Sequence, residues 1–396
     1  KEAQQMSREI AQECQVLLKN EGDVLPLKKS AKIALVGYIA TSGKEMQGCW
    51  AFSSYADSCV TFLQGMQEAV AGEGGSVSYA EGCWLLEDGQ REQDLVNQYL
   101  GAYKPGQKIK PVHTRQQAQL VAEAVALARR SDVVVAALGE LNNMNGEGTS
   151  RSDITLGRTQ IELLKALKAT GKPVVLLLST GRPLALTDAE PLCDAILCTW
   201  NLGDQAGRAA ADVLFGDVNP SARLTTSWPR NVGQCPIYYN HKNTGRPHED
   251  GKPYQRFKSN YQDCLHGPLF PFGHGLSYTT FEYSDVTLSS NESMADGTVK
   301  ASVTVKNTGQ RDGKEVVQLY IKDVYATCSR PVMELKGFQK ISLKAGEQKT
   351  VEFEIGRKQL EYYDHALKQV VEPGDFEIMI GHDSQNVKKA TLTIKN

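Results

Sequence analysis

Two hydrophobic periodicities divide the chain. Through the first half, compact apolar runs alternate with amphipathic stretches: the pattern predicts strands over 33–36, 77–80, 132–138, 173–178, 195–199 and 223–227, and helices over 61–70, 116–129, 159–168 and 205–214. Runs such as Val133-Val134-Val135 and Val174-Val175-Leu176-Leu177-Leu178 carry no polar residue at alternate positions. Strands of that kind are buried on both faces, and within a βα alternation this means a mostly parallel sheet covered by helices. An α/β layered sandwich over 31–228 is expected. Ahead of it, Ile10, Cys14, Leu17 and Leu18 recur at helical spacing before Asn20, Gly22 and Pro26 break the pattern, so a first helix over 7–20 and a linker up to residue 30 are expected.

Residues 229–284 lose periodicity and gain Pro, Gly, Asn, His and Tyr, as in Gly245-Arg246-Pro247 and Pro271-Phe272-Gly273-His274-Gly275. A stretch of that length without elements of its own is expected to be functional or wrapped over a neighbouring domain. From Asp285 the period becomes two, with short runs over 286–288, 299–305, 316–321, 332–338, 350–355, 376–380 and 390–394. They are separated by turn chemistry such as Asn307-Thr308-Gly309 and Glu372-Pro373-Gly374. Seven short strands spaced this way predict an all-β sandwich over 285–396.

Composition narrows the function classes. The 396 residues hold 44 Lys+Arg and 46 Asp+Glu, a net charge of −2, with no long block of one sign. That balance argues against a nucleic-acid or anionic-membrane partner. No apolar run approaches the roughly 20 residues that cross a bilayer. Nine scattered cysteines include no Cys-x-x-Cys pair and no histidine at zinc-ligand spacing, so no metal is expected, while one or two disulfides remain open. His241, His248, His266 and His274 gather in the irregular segment without the spacing of a common metal site. The sequence begins Lys1-Glu2-Ala3-Gln4, which reads as the interior of a helix, and an upstream portion is expected.

The best local candidate for chemistry is the polar loop after the 132–138 strand, Gly139-Glu140 through Asp153, because ligands in open α/β sheets bind beyond the carboxyl ends of strands. Within it Glu147 stands between Gly146 and Gly148, on backbone free to place a carboxyl group in a cleft, with Arg151 near enough in sequence to tune its proton affinity. Trp50, after the first strand of the layered domain, offers a flat apolar face to a sugar ring or an aromatic ligand. Gly72-Glu73-Gly74-Gly75 and Gly171-Lys172-Pro173 lack the context of phosphate-binding loops, and no Gly-x-Ser-x-Gly nucleophile turn is present. Nucleotide binding and serine hydrolase chemistry are disfavoured, and no cofactor is expected.

Several longer motifs occur together in order: Val16-Leu17-Leu18-Lys19-Asn20 with Leu25-Pro26-Leu27, Gly48-Cys49-Trp50, the 139–153 loop, and Thr180-Gly181-Arg182-Pro183-Leu184. They continue with Ala211 through Ser221, Pro271-Phe272-Gly273-His274-Gly275-Leu276-Ser277-Tyr278, and Leu335-Lys336-Gly337-Phe338. In these the chain resembles the C-terminal part of a bacterial family 3 glycoside hydrolase of the periplasmic β-glucosidase type. It departs from the usual family pattern at Gly157, where a proline is common, at Asn260-Tyr261, where an Arg-Tyr pair is common, and at Cys14.

The resemblance implies a (β/α)₈ barrel upstream carrying a nucleophilic Asp, an α/β sandwich with the acid/base carboxyl at Glu147 and a sugar-site aromatic wall at Trp50, and a fibronectin type III-like module last. The Ser-Asp-Trp motif that holds the family's nucleophile is missing here. The activity implied is that of a retaining exo-β-glycosidase, in the first place a β-glucosidase, acting on terminal β-linked sugars in the periplasm or outside the cell. Its partners would be a β-linked glycoside and the barrel domain, with no nucleic acid and no membrane. A carbohydrate-binding or scaffolding polypeptide without catalysis is the alternative.

Overall fold

A computed structural model describes residues 2–51, 56–87, 92, 114–249 and 252–395, so positions 250 and 251 of the irregular segment lie outside the described residues. Packing divides the chain into Lys1–Ala222 with Asn231–Gly233, and Arg223–Arg230 with Gln234–Asn396.

The first unit contains helices α1 (Glu2–Cys14), α2 (Phe62–Val70), α3 (Gln117–Arg129), α4 (Arg158–Lys168) and α5 (Ala206–Leu214). Its strands are β1 (Val16–Asn20), β2 (Lys32–Val36), β3 (Ser76–Ala80), β4 (Val133–Gly139), β5 (Val174–Ser179) and β6 (Ala195–Cys198), in the spatial order β1-β6-β5-β4-β2-β3. All neighbours from β6 to β3 are parallel, and β1 runs antiparallel along β6. Every residue of β4 and β5 is buried, as their unbroken apolar runs require. Two helical groups cover the sheet: α1 and α2 pack on α5, and α3 packs on α4. α2 and α5 approach closely: a Cβ on Gly65 would overlap the backbone of Gly207, and one on Gly207 would overlap the backbone of Thr61. α2 itself starts on a capping box, with Thr61 Oγ1 accepting from Gln64 N–H at 3.3 Å and Gln64 Oε1 accepting from Thr61 N–H at 2.9 Å.

Read as β3-β2-β4-β5-β6, the parallel strands have the 2-1-3-4-5 order of a doubly wound sheet. The chain leaves β2 towards one side to make β3, then returns to the other side of β2 to make β4. The direction of winding therefore reverses between β2 and β4, and the loops leaving their carboxyl ends diverge there.

Two expected elements take another form. The helix ends at Cys14 and residues 16–20 are strand β1, because Val16, Leu17 and Leu18 lie along β6 and are buried, whereas Ile10, placed on the same predicted stripe, is 59% exposed. Apolar spacing at 10, 14, 17 and 18 suits a helix face, but pairing with a strand at 195–198 decides the outcome. No strand forms over 223–227. Leu224 instead donates its N–H to His274 O at 2.8 Å and accepts from Gly273 N–H at 2.8 Å, a local pairing with the Pro-Gly-rich segment, and Trp228 bridges Phe270. No disulfide joins any of the cysteines among the described residues.

The second unit is a β-sandwich. After β7 (Phe281–Tyr283), β8 (Thr287–Leu288) and β9 (Glu292–Met294) come β10 (Val299–Asn307), β11 (Gly313–Asp323), β12 (Glu334–Leu343) and β13 (Gln348–Ile355). The short pair β14 (Tyr362–Tyr363) and β15 (Gln369–Val370) precedes β16 (Gly374–Gly381) and β17 (Val387–Lys395). One sheet is β13-β10-β7 with β8 also on β10, and the other is β12-β11-β16-β17-β9. Val303, Val305 and Phe353 from the first sheet share a core with Leu319, Ile321 and Phe376 from the second. Alternating burial along β10 shows the period of two that the sequence carries.

Candidate active site

Three loops of the first unit leave neighbouring carboxyl ends of the sheet. β2 runs into a loop that reaches Trp50, β4 into the loop that carries Glu147, and β5 into Thr180-Gly181-Arg182. Trp50 and Glu147 thus stand on the two loops that flank the reversal of winding, the place where an open α/β sheet forms a crevice. The end of β4 is itself held from below: buried Gln160, in the first turn of α4, accepts from Gly139 N–H at 2.9 Å and donates to Gly139 O at 3.0 Å.

Glu140 is the hub beneath the Glu147 loop. It is 3% exposed, and a buried carboxylate demands counter-charge and donors. Arg151 supplies Nη1 at 2.7 Å, Arg182 brings Nε to 3.1 Å of the same oxygen, and Thr180 Oγ1 donates to the other at 2.9 Å. Arg182 also reaches the turn above, where its Nη2 donates to Met144 O at 2.5 Å and to Thr149 O at 2.9 Å, so one guanidinium grips both flanks of residues 145–148. The expectation that Arg151 acts directly on Glu147 is corrected, since Arg151 spends its charge on Glu140 and donates to Thr155 O.

The turn itself projects Glu147 outward. Gly146 and Gly148 have φ of 97° and 71°, a region closed to most side chains, and the carboxyl between them is exposed and makes no ion pair or hydrogen bond to the described residues. A Cβ on Gly146 would overlap Cys49 Sγ and lie 3.7 Å from Trp50 Nε1, so the Glu147 turn sits directly on the Cys49-Trp50 step. Trp50 is 59% exposed and presents indole surface beside that turn. The structure therefore brings the two residues singled out in the sequence to one place, next to each other in the same unit.

Sequence reasoning passes over the residues that hold them. Glu140 and Arg182 lie within the motifs that carry the resemblance, without a role of their own. The available signal is positional: each is a charged residue on a loop just after a buried strand, where a lone charge needs a reason.

The first unit is thus a doubly wound α/β domain that presents an exposed carboxyl and an exposed indole at its switch point, and the second is a β-sandwich. The glycosyl hydrolase family 3 C-terminal domain profile matches residues 15–278, and the fibronectin type III-like domain profile matches 315–384. The chain belongs to glycosyl hydrolase family 3. A periplasmic β-glucosidase of Salmonella typhimurium is 49% identical over 98% of this chain and 49% of its own length. A β-xylosidase of Formosa agariphila is 37% identical over 100% of this chain and 50% of its own length. Among solved structures, β-glucosidase from Listeria innocua in complex with isofagomine superposes with a TM-score of 0.87 at 36% identity, over 100% of this chain and 50% of that one. The chain spans about half the length of the relatives it matches.

Proposed function

We propose that this chain is the acid/base-bearing part of a retaining exo-β-glycosidase, with terminal β-glucosides as substrate. Glu147 is the general acid/base and Trp50 is a wall of the sugar site. The observation that carries this reading is the placement of an exposed carboxyl on a clamped turn, against an exposed indole, at the switch point of the sheet. The nucleophilic Asp belongs to a barrel domain outside this chain. Retaining chemistry needs two carboxyl groups about 5–5.5 Å apart, one to attack and one to protonate. In the first step the nucleophile bonds to the anomeric carbon as its bond to the leaving oxygen breaks, and Glu147 gives its proton to that oxygen. In the second, water attacks the same carbon, gives its proton to Glu147, and frees the nucleophile. Periplasmic or extracellular placement rests on likeness to the Salmonella protein.

The test uses the intact enzyme, with this chain joined to its barrel domain. Glu147→Ala should slow alkyl or unactivated aryl β-glucosides by about 10²–10⁴-fold. Dinitrophenyl glucoside, whose leaving group needs no proton, should keep its first step, and azide should restore turnover. Equal loss on both substrates without azide rescue removes Glu147 from the role.

A further inference from the structure

The loop that bears Trp50 contains a second acid. Glu45 is 1% exposed, and its Oε2 accepts the backbone N–H of Asn142 at 2.5 Å. Asn142 opens the short 3-10 turn Asn142–Met144, which delivers the chain to Gly146 and Glu147. The same asparagine donates Nδ2 to Lys44 O at 3.2 Å. Two consecutive residues of one loop thus hold the root of the other, four residues before Gly146 settles on Cys49 and Trp50.

We propose that Glu45 is a positioning residue for the acid/base reaction: its carboxyl locks the loop carrying Trp50 to the loop carrying Glu147. This rests on the assignment of Glu147 given above. Glu45 touches no reacting atom, and it acts through the Asn142 N–H.

Burial favours the neutral form of this acid, against the pull of the Asn142 N–H towards the ionised one. Glu45 Oε1 and Asn142 Oδ1 are both buried acceptors without a hydrogen-bond partner among the described residues, a set short of a donor that a protonated carboxyl supplies. Burial pushes the Glu45 carboxyl up to about 7, and the Asn142 N–H and the Lys44 charge pull it only part of the way back. The other groups facing it oppose ionisation or are themselves neutral: Glu92 adds like charge, and Tyr38, half-buried on the same loop, is pushed up to about 12. Lys44 is itself lowered by burial. A carboxyl raised from the ordinary 4.5 contributes its full share to the locked loops below that value and loses it as the pH climbs through about 7. Ionisation of Glu45 as the pH rises through that range therefore weakens the locked arrangement.

The experiment measures kcat/KM of the intact enzyme on an unactivated aryl β-glucoside and on dinitrophenyl β-glucoside from pH 6 to 8. The first substrate needs the Glu147 proton and so reports the placement of its turn, whereas the second does not. The ratio of the two constants should fall in wild type as the pH rises, and should fall clearly less in Glu45→Gln, which holds a permanently neutral group in the same place. In the unsubstituted protein, amide exchange of the 141–148 backbone, corrected for intrinsic pH dependence, should lose protection over the same interval, a readout that stands if the variant fails to fold. A Glu45→Gln profile that superimposes on wild type, or exchange protection that does not change from pH 6 to 8, overturns the proposal. Failure of the Glu147 reading shows elsewhere, as absence of azide rescue in Glu147→Ala, so the two are separable.

Discussion

Arg182 lies with its Nε 3.1 Å from the buried carboxylate of Glu140 while its Nη2 donates to the carbonyls on either side of the Glu147 turn. One side chain therefore fixes a catalytic candidate to the floor of the sheet without touching it. A planar guanidinium can do this because it presents several donors spread in a rigid fork, whereas an ammonium is a compact point charge on a flexible stem.

Replacement of that fork is expected to loosen the turn while leaving the fold. Arg182→Lys in the intact enzyme should cut kcat on unactivated β-glucosides by about 10–100-fold, since misplacement of about 1 Å at a reacting group has that scale. It should change kcat/KM on dinitrophenyl glucoside far less, because that constant reports only the first step, whose leaving group needs no proton. Arg151 still neutralises Glu140, so thermal melting should fall only modestly. Equal loss on both substrates would show that Arg182 supports sugar binding and not the acid/base turn.

Trp50→Ala should raise KM for β-glucosides about tenfold through loss of an aromatic face worth about 0.5–1.5 kcal/mol together with its buried area, and Trp50→Phe should recover part of it. Steady-state kinetics separates this from a positioning effect, which would appear in kcat. An unchanged KM in Trp50→Ala removes the indole from the sugar site.

The chain by itself should not hydrolyse an aryl β-glucoside, because under the proposed mechanism it contributes one of the two carboxyl groups the reaction needs. Calorimetric titration with glucose should give at most millimolar affinity. Steady turnover by the purified chain would place the nucleophile within these 396 residues.

The contrast between what the sequence shows and what it hides is physical. Val133–Val135 and Val174–Leu178 announce a doubly covered parallel sheet because burial on both faces leaves no alternative pattern, and the period of two from residue 285 onward announces the sandwich. Glu147 and Trp50 are reachable from loop position and local glycines. Strand β1 is not, because five residues next to a helix look like its last turn until the partner strand β6 is known. The same holds for Glu140, Arg182 and Glu45, whose meaning lies mainly in contacts across 33 to 97 residues that no local periodicity records.

Those long-range contacts recur in the second unit, where they set its acid sensitivity. Glu315, on β11, is fully buried and accepts from Tyr283 Oη at 2.7 Å, lies 2.9 Å from His382 Nδ1, and pairs with Arg223. Burial alone would raise this carboxyl, but Arg223, His382 and Tyr283 together outweigh it and hold it below the ordinary 4.5. A depressed carboxyl contributes stability above its unfolded value and loses that contribution as the pH falls through its lower folded value. Urea unfolding followed by a probe in the sandwich should therefore show it destabilised on going from pH 7 to below 4. Glu315→Gln should flatten that acid dependence and cost about 3–5 kcal/mol at pH 7, because Arg223 is left buried without its counter-charge. A variant as stable as wild type at pH 7, or one with the same acid profile, would show that the cluster is not what holds the 223–230 segment to the sandwich.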